Sequence, residues 1–415
     1  MTSKIEIPYG DSSYLLEIDE SFDLLKSKKV NPVYNLEETL INNLDNPIGT
    51  KALKELIRDK KSICIVIPDD TRPVPNKEIL EILIAYIETH RVNDIKIKIL
   101  IGTGSHDPLT KSKIIKLVGS RIYKNHEVIS NDCFNSNDFI DIGYVVDGIP
   151  IKINKNYFDS DFKIAIGLIE PHPYAGFSGG RKAICPGICS NDSFEAIHTT
   201  KIVFSKSSKV GNLYGNLLHK IASRVVKKIG LDFIINITIL KNKKISNFFC
   251  GDFQKAFLKG VNFYNIHYKL KTEKKYDLII TNGGGTGLDS YFYQVLKSIN
   301  VSTKYIKKNG TIIVFAKCEN GVGTKQYCKL LKNLDKTLRN LNLNNRFIFE
   351  QWNIQFLYKI FQKCEVYLFS DVFNRFPYLY KVVKKVENID QFIKELKNKK
   401  GKIDIAIIED GPFVI

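Results

Sequence analysis

Four clusters of polar residues and glycines could carry chemistry in this chain. The richest runs Glu170-Pro171-His172-Pro173-Tyr174-Ala175-Gly176-Phe177-Ser178-Gly179-Gly180-Arg181-Lys182-Ala183-Ile184-Cys185-Pro186-Gly187. Its glycines at 176–180 offer backbone N–H groups, a nest suited to phosphate. Lys182 follows them as a lysine follows the glycines of a P-loop. Ala183, however, stands where that motif needs a hydroxyl for Mg²⁺, which disfavours ATP hydrolysis. Downstream, Ser190-Asn191-Asp192 reads as a helix N-cap. The helix it opens carries Phe194 and Ile197 on its apolar face, with His198 beside them. A lone histidine on an apolar face is usually core. Two histidines flanking a glycine-rich loop with a lysine are a rarer pattern and point to a site.

The other three clusters are weaker taken singly. Pro68-Asp69-Asp70-Thr71-Arg72-Pro73-Val74-Pro75 packs two carboxylates, a hydroxyl and a guanidinium together. Its prolines stiffen the loop, and Arg72 can grip a carboxylate through two parallel hydrogen bonds. The same residues also suit a tight turn closed by an internal Asp–Arg pair. In Gly102-Thr103-Gly104-Ser105-His106-Asp107-Pro108 the glycines let a ligand approach the backbone, and imidazole is the side chain suited to moving a proton near neutral pH. The fourth cluster is Asn282-Gly283-Gly284-Gly285-Thr286-Gly287-Leu288-Asp289, running into 290–299. There Gln294 and Lys297 sit three apart, on one helical face. Together they can hold a carboxylate, or simply form a solvated face.

Each cluster follows a predicted strand, the place where α/β sheets put ligands. Residues 62–67 form a continuous apolar run, as strands buried on both faces do. Runs at 95–102 and 163–168 repeat the signal. Between them, Ile79, Leu80, Leu83, Ile84 and Ile87 keep a helical period over Asn76–His90. A lysine-rich polar stretch at 269–275 interrupts the pattern. A fresh series of strands then follows at 277–281, 310–316, 365–370 and 404–408. Strand–helix alternation predicts an α/β fold of two domains with mainly parallel sheets and a boundary near 270. The length of 415 residues suits two such domains better than one core.

Composition excludes little beyond disorder. Apolar residues are 44% and charged residues 26%, ordinary values for a folded chain. The net charge of +18 raises nucleic acid or an anionic membrane as partner. The lysines are spread along the whole chain, and the aromatic interleaving of an RNA platform is missing, so nucleic acid is not the expected partner. No apolar run approaches the length of a membrane span. Residues 1–9 lack a basic stretch leading into an apolar one, so no signal peptide is expected. The eight cysteines are scattered, with no CxxC. They read as reduced thiols, mostly buried, in a cytoplasmic protein. Cys185 and Cys189 have no second pair to complete a zinc site.

The segment from Glu170 to Lys182 resembles the central motif of the lactate racemase family of nickel-pincer-nucleotide racemases and epimerases. The Asp69-x-Thr71-Arg72-Pro73 loop, Gly104-x-His106, His198 and Gln294-x-x-Lys297 are similar to its other motifs, in the same order and spacing. The resemblance covers nearly the whole chain. It implies a 2-hydroxyacid racemase or epimerase that works by reversible hydride abstraction from the substrate Cα. The cofactor would be a nickel-pincer nucleotide, a Ni(II) pyridinium-3,5-bisthiocarboxylic acid mononucleotide. Lys182 would be joined to it covalently. His198 would complete the square plane of the nickel, a geometry that suits Ni(II) with sulfur and imidazole donors. Ser178, Gly179 and Gly180 would hold the cofactor phosphate, with Asp69 and Thr71 lining the same site.

By the same resemblance, His106 and His172 are the two bases that exchange the hydroxyl proton on opposite faces. Arg72, Gln294 and Lys297 would hold hydroxyl and carboxylate, with Trp352 near them. Proteins of cofactor biosynthesis are the implied loading partners. The implied layout has a cofactor-binding domain of residues 1–270, to which 404–415 return, a second domain of 271–403, and an active site in the cleft between them. Two departures leave the substrate side chain open. Asp107 follows His106 where the family often has arginine, and the loop 283–289 is richer in glycine. Two other readings stand beside this one: a basic nucleic-acid-binding protein, and a zinc-dependent hydrolase using His106, His172 and His198.

Overall fold

A computed structural model describes residues 3–146, 148–285, 287–343 and 348–415. The chain forms two compact units, Lys29–His267 and the combination of Met1–Lys28 with Tyr268–Ile415.

The unit Lys29–His267 is built on a six-stranded sheet. Its order is Ile245–Gly251, Phe233–Ile239, Phe162–Leu168, Ser62–Pro68, Lys96–Gly102, Glu127–Ser130. All neighbours are parallel except the edge pair formed by Ile245–Gly251 and Phe233–Ile239. The three strands read from the sequence are present, and their continuous apolar character has the expected cause. Residues 63–67 are buried throughout, as covering by helices on both faces requires. Helix Asn76–His90 lays Ile79, Leu80, Leu83, Ile84 and Ile87 into the core on one side. Helix Leu217–Ile229 buries Leu218, Ile221, Ala222, Val225, Val226 and Ile229. Its N-cap Asn216 accepts from the His219 N–H at 3.1 Å, and Gly230 ends it at φ +84°.

The other unit holds a second six-stranded sheet, all parallel. Its order is Lys384–Lys385, Glu365–Phe369, Ile306–Phe315, Tyr276–Asn282, Ile405–Ile408, Asp23–Leu25. The four strands expected after residue 270 all form. The expected return of 404–415 to the first domain does not occur. Ile405–Ile408 is buried along its whole length between Tyr276–Asn282 and Asp23–Leu25, so leaving this sheet would strip two ladders of their partner. The segment that changes unit is the N-terminal one. Its hairpin, Ser3–Tyr9 with Ser12–Ile18, packs Ile7, Leu16 and Ile18 into the core of the second sheet. Period-two alternation is visible in 3–18, but alternation says nothing about which sheet a hairpin covers.

All eight cysteines are free thiols, and only Cys328 is not fully buried. Among the described residues, no helix is long and apolar enough to cross a membrane.

Candidate active site

In the unit Lys29–His267 the chain order of the parallel strands reverses between Ser62–Pro68 and Phe162–Leu168. Sheets of this kind bind ligands outside the carboxyl ends of the strands at such a switch point. The loops leaving these two strands are the Asp69–Arg72 cluster and the Glu170–Lys182 cluster. The loop after the neighbouring strand Lys96–Gly102 carries His106. Three contacts tie the loops together. His106 Nδ1 lies 2.6 Å from Asp69 Oδ2. Arg72 Nε is 3.7 Å from Glu170 Oε1. The Gly104 N–H donates to the Gly187 carbonyl at 2.9 Å. Gly102 allows this close approach: a Cβ there would sit 3.3 Å from the Gly187 carbonyl oxygen, and the neighbouring backbone would have to give by a few tenths of an ångström.

Asp69 is only 4% exposed. Its Oδ1 accepts from the Thr71 hydroxyl at 2.5 Å and from the Thr71 N–H at 3.2 Å. Burial alone would raise this carboxyl. The hydrogen bond and charge of His106, the Thr71 hydroxyl and Arg72 outweigh it and hold the group below its ordinary value. A carboxylate fixed in this way takes the Nδ1–H of the imidazole, which leaves the lone pair of His106 on Nε2. The His106 side chain is about half exposed, so that nitrogen can meet a substrate. Asp70 instead pairs with Lys113 at 3.0 Å.

His172 is engaged differently. Its Nδ1 accepts from the backbone N–H groups of Tyr174 and Ala175 at 3.2 and 3.1 Å. Its Nε2 lies 3.1 Å from Lys182 Nζ. The Lys182 amine is pushed down to about 7, first by burial, then by the charges of Arg72 and Arg181, with Cys185 and Glu170 opposing.

Arg181, between this pair and the glycines, was given no role by the sequence. It is 1% exposed. Nη1 donates to the Gly179 carbonyl, and Nη2 to those of Ala175 and Phe177, all at 3.1–3.2 Å. Nε donates to His219 Nδ1 at 2.8 Å, and the guanidinium lies over the Phe257 ring, 4.2 Å from its centroid. Burial pushes Arg181 down to about 9. The glycine loop is therefore held from inside by one buried cation.

The expected open nest is partly closed. The Ser178 N–H donates to the Glu170 carbonyl, and the Gly180 N–H to Asn236 Oδ1 at 3.1 Å. Asn236 reaches it across Gly167, where a Cβ would come within 2.9 Å of that oxygen. Among the described residues the buried Ser178 hydroxyl has no hydrogen-bond partner, which leaves it for an anion.

Ser190 caps the expected helix, Asn191–Ile197, accepting from the Ser193 N–H. His198 ends it, stacked on Phe194 with centroids 4.0 Å apart. Its Nδ1–H donates to the Phe194 carbonyl at 2.8 Å, so the lone pair is on Nε2. Burial pushes His198 down to about 3; the bond to Phe194 opposes and the Lys182 charge adds. It is a neutral imidazole whose lone pair is on Nε2. Among the described residues, no group of three or more His, Cys, Asp or Glu is placed to hold a metal ion. His106, His172 and His198 are thus not ligands of one shared zinc.

The remaining residues lie in the other unit. Gln294 and Lys297 are half-buried on helix Phe292–Ser302, and the Gln294 side chain accepts from the Tyr291 N–H at 3.3 Å, capping its own helix. Trp352 is half-buried on helix Gln351–Phe361, edge-on to Phe349 at 5.6 Å. Thr286 of the glycine loop lies outside the described residues.

Known proteins match the chain along its whole length. Residues 9–211 match the lactate racemase N-terminal domain, and residues 271–415 match the lactate racemase C-terminal domain. A lactate racemase of Thermoanaerobacterium thermosaccharolyticum is 33% identical over 100% of this chain and 99% of its own length. One of Lactiplantibacillus plantarum is 30% identical over 99% of each. The solved lactate racemase apoprotein from T. thermosaccharolyticum superposes with a TM-score of 0.92, at 32% identity, over 100% of this chain and 99% of that one. A crystal structure of a Thermotoga maritima protein shares the fold, with a TM-score of 0.67 at 17% identity over 91% of this chain and 97% of that one.

Proposed function

The chain belongs to the lactate racemase family and is an isomerase, and from that footing we propose that it interconverts the enantiomers of a small 2-hydroxyacid, lactate or a close relative, on a nickel-pincer nucleotide attached at Lys182. The observation that carries the reading is the grouping at one switch point of an Asp-oriented histidine, a lysine pushed towards its free-base form and a neutral, buried histidine.

The residues present fit the cofactor. A covalent link needs a neutral amine, and Lys182 is shifted that way. A phosphate needs donors, and the Ser178 hydroxyl is buried and unsatisfied, beside Gly179 and Gly180. His198, whose Nδ1–H is given to Phe194 and whose lone pair is on Nε2, would hold the nickel through that imidazole nitrogen. When bound, the cofactor would supply an acceptor for the hydride of the substrate Cα.

The protein's own part is positioning and proton movement. His106 accepts the hydroxyl proton at Nε2, and Asp69 stabilises the imidazolium that results. His172 stands in this proposal as the proton-exchanging group of the other face on the family resemblance. Arg72 grips the substrate, its guanidinium kept in place by Glu170. Gln294, Lys297 and Trp352 stand in this proposal as substrate-binding residues on the family resemblance. Asp69 and Thr71 line the cofactor site on the same footing. Proteins of cofactor biosynthesis are the proposed loading partners.

The test is intact-mass and nickel analysis of protein co-expressed with cofactor-making enzymes, followed by a chiral assay. Wild type should gain the cofactor mass and nickel and racemise a 2-hydroxyacid; Lys182→Ala should lose the adduct. Absence of adduct and nickel in wild type, while a control racemase loads in the same host, would overturn the reading.

A further inference from the structure

The hydrogen bonds around His172 fix which of its nitrogens carries hydrogen. Two backbone N–H groups point at Nδ1, from Tyr174 and Ala175. An N–H cannot accept, so Nδ1 holds a lone pair, and the neutral ring carries its hydrogen on Nε2. That hydrogen faces Lys182 Nζ across 3.1 Å. An ammonium there would meet an N–H head-on, donor against donor. A free amine meets it with a lone pair.

From this geometry we infer that His172 is a positioning residue for Lys182, which it holds as a free-base nucleophile by donating Nε2–H to the Nζ lone pair. The inference rests on the reading that Lys182 is the attachment point. It adds a role for His172 in the apoprotein, before any turnover. The lysine is poised to attack an acyl or thioacyl carbon bearing a leaving group X. The N–C bond forms, the C–X bond breaks, and one amine proton departs with X; no oxidant or reductant is required. The product nitrogen is an amide or thioamide, whose lone pair is delocalised and is no longer a good acceptor. Attachment therefore ends the bond from His172 Nε2–H to Lys182, and that N–H can then be donated to a substrate oxygen. The other charged groups around the amine are Arg72 and Arg181, which also favour the neutral form, and Glu170 and Cys185, which oppose it.

The test is competitive labelling of the cofactor-free protein with trace acetic anhydride over a range of pH, read at each lysine by peptide mass spectrometry. In wild type, Lys182 should keep roughly half or more of its full labelling rate at neutral pH, where surface lysines, with an ordinary value of about 10.4, have slowed at least tenfold from their alkaline plateau. In His172→Gln the amide oxygen can accept from an ammonium. The Lys182 labelling profile should then move to higher pH and its neutral-pH rate fall at least tenfold, while His106→Gln leaves it in place. A Lys182 profile like that of surface lysines in wild type, or an unchanged profile in His172→Gln, would overturn the inference. Should His172→Gln fail to fold, ¹⁵N-histidine spectra of wild type decide. The ring whose signals move in Lys182→Met should show a pyridine-like Nδ1 and a pyrrole-like Nε2, and the reverse assignment overturns it. Labelling needs no nickel, so its failure is separate from failure of cofactor loading or of racemase activity.

Discussion

Asp69 and His106 form a 2.6 Å contact between two loops that leave neighbouring strands. The carboxylate is spent on that contact and on Thr71. The imidazole therefore has one tautomer available, with its lone pair on Nε2. Asp69→Asn presents an amide that can turn its NH₂ towards Nδ1 and select the opposite tautomer. Positioned general acid–base groups contribute about 10²–10⁴-fold to rate. Racemisation by the Asp69→Asn enzyme, measured per bound nickel, should fall by about 100-fold or more. A drop smaller than threefold would remove Asp69 from the proton path.

The same carboxylate sets a pH dependence of stability. Its folded value lies below its ordinary one, so the unfolded chain binds the proton more readily. The stabilisation is complete above the unfolded value of about 3.9 and is lost as pH falls through the lower, folded value. Wild type should therefore lose part of its stability in acid below about pH 4, a loss that Asp69→Asn lacks. Chemical unfolding at a series of acid pH values, compared between the two proteins, checks it.

Much of this site was legible before the fold. The loops at 68–75 and 102–108 and the run 170–187 declare themselves because chemistry-bearing types crowd into short stretches after apolar strands. Periodicity placed the strands and Asn76–His90 for the same reason, since burial on one or both faces writes itself into local spacing. Partners brought together over long distances in sequence were not legible. His219 appeared to have no task, yet it accepts from Arg181, and Asn236 pins Gly180 from a distant strand. The glycines at 176–180 looked like free donors because sequence shows where N–H groups are available, not which carbonyls and amides will claim them. The unit to which 3–18 and 405–408 belong is likewise a matter of sheet pairing.

Arg181 gives a third prediction. Its guanidinium satisfies three loop carbonyls, and His219 accepts from it as well. Removing a partner from a buried polar group costs about 1–3 kcal/mol for each group left unsatisfied. Arg181→Ala should destabilise the protein by about 3 kcal/mol or more, read from the urea midpoint at constant m. Arg181→Lys keeps the charge but not the planar fork, and should recover less than half of the loss. A neutral outcome for Arg181→Ala would mean that the loop carbonyls find other donors.

Lys182 supplies the last prediction, one in which removing the proposed attachment residue stabilises the protein. Burial pushes the amine down to about 7, while in the unfolded chain it titrates near its ordinary value of about 10.4. Between these values the unfolded state binds more protons than the folded state, so wild-type stability rises with pH across that window. Below it, the amine is charged in both states and the folded protein bears the whole cost of enclosing it. Lys182→Met keeps the length of the side chain and never bears that cost. Cofactor-free Lys182→Met should therefore melt above wild type at about pH 6.5, and the gap should narrow steadily towards about pH 9.5. A gap that is constant with pH would mean that Lys182 has an ordinary ammonium group in the folded protein. The free amine invoked for covalent attachment would then have to arise only when the cofactor arrives.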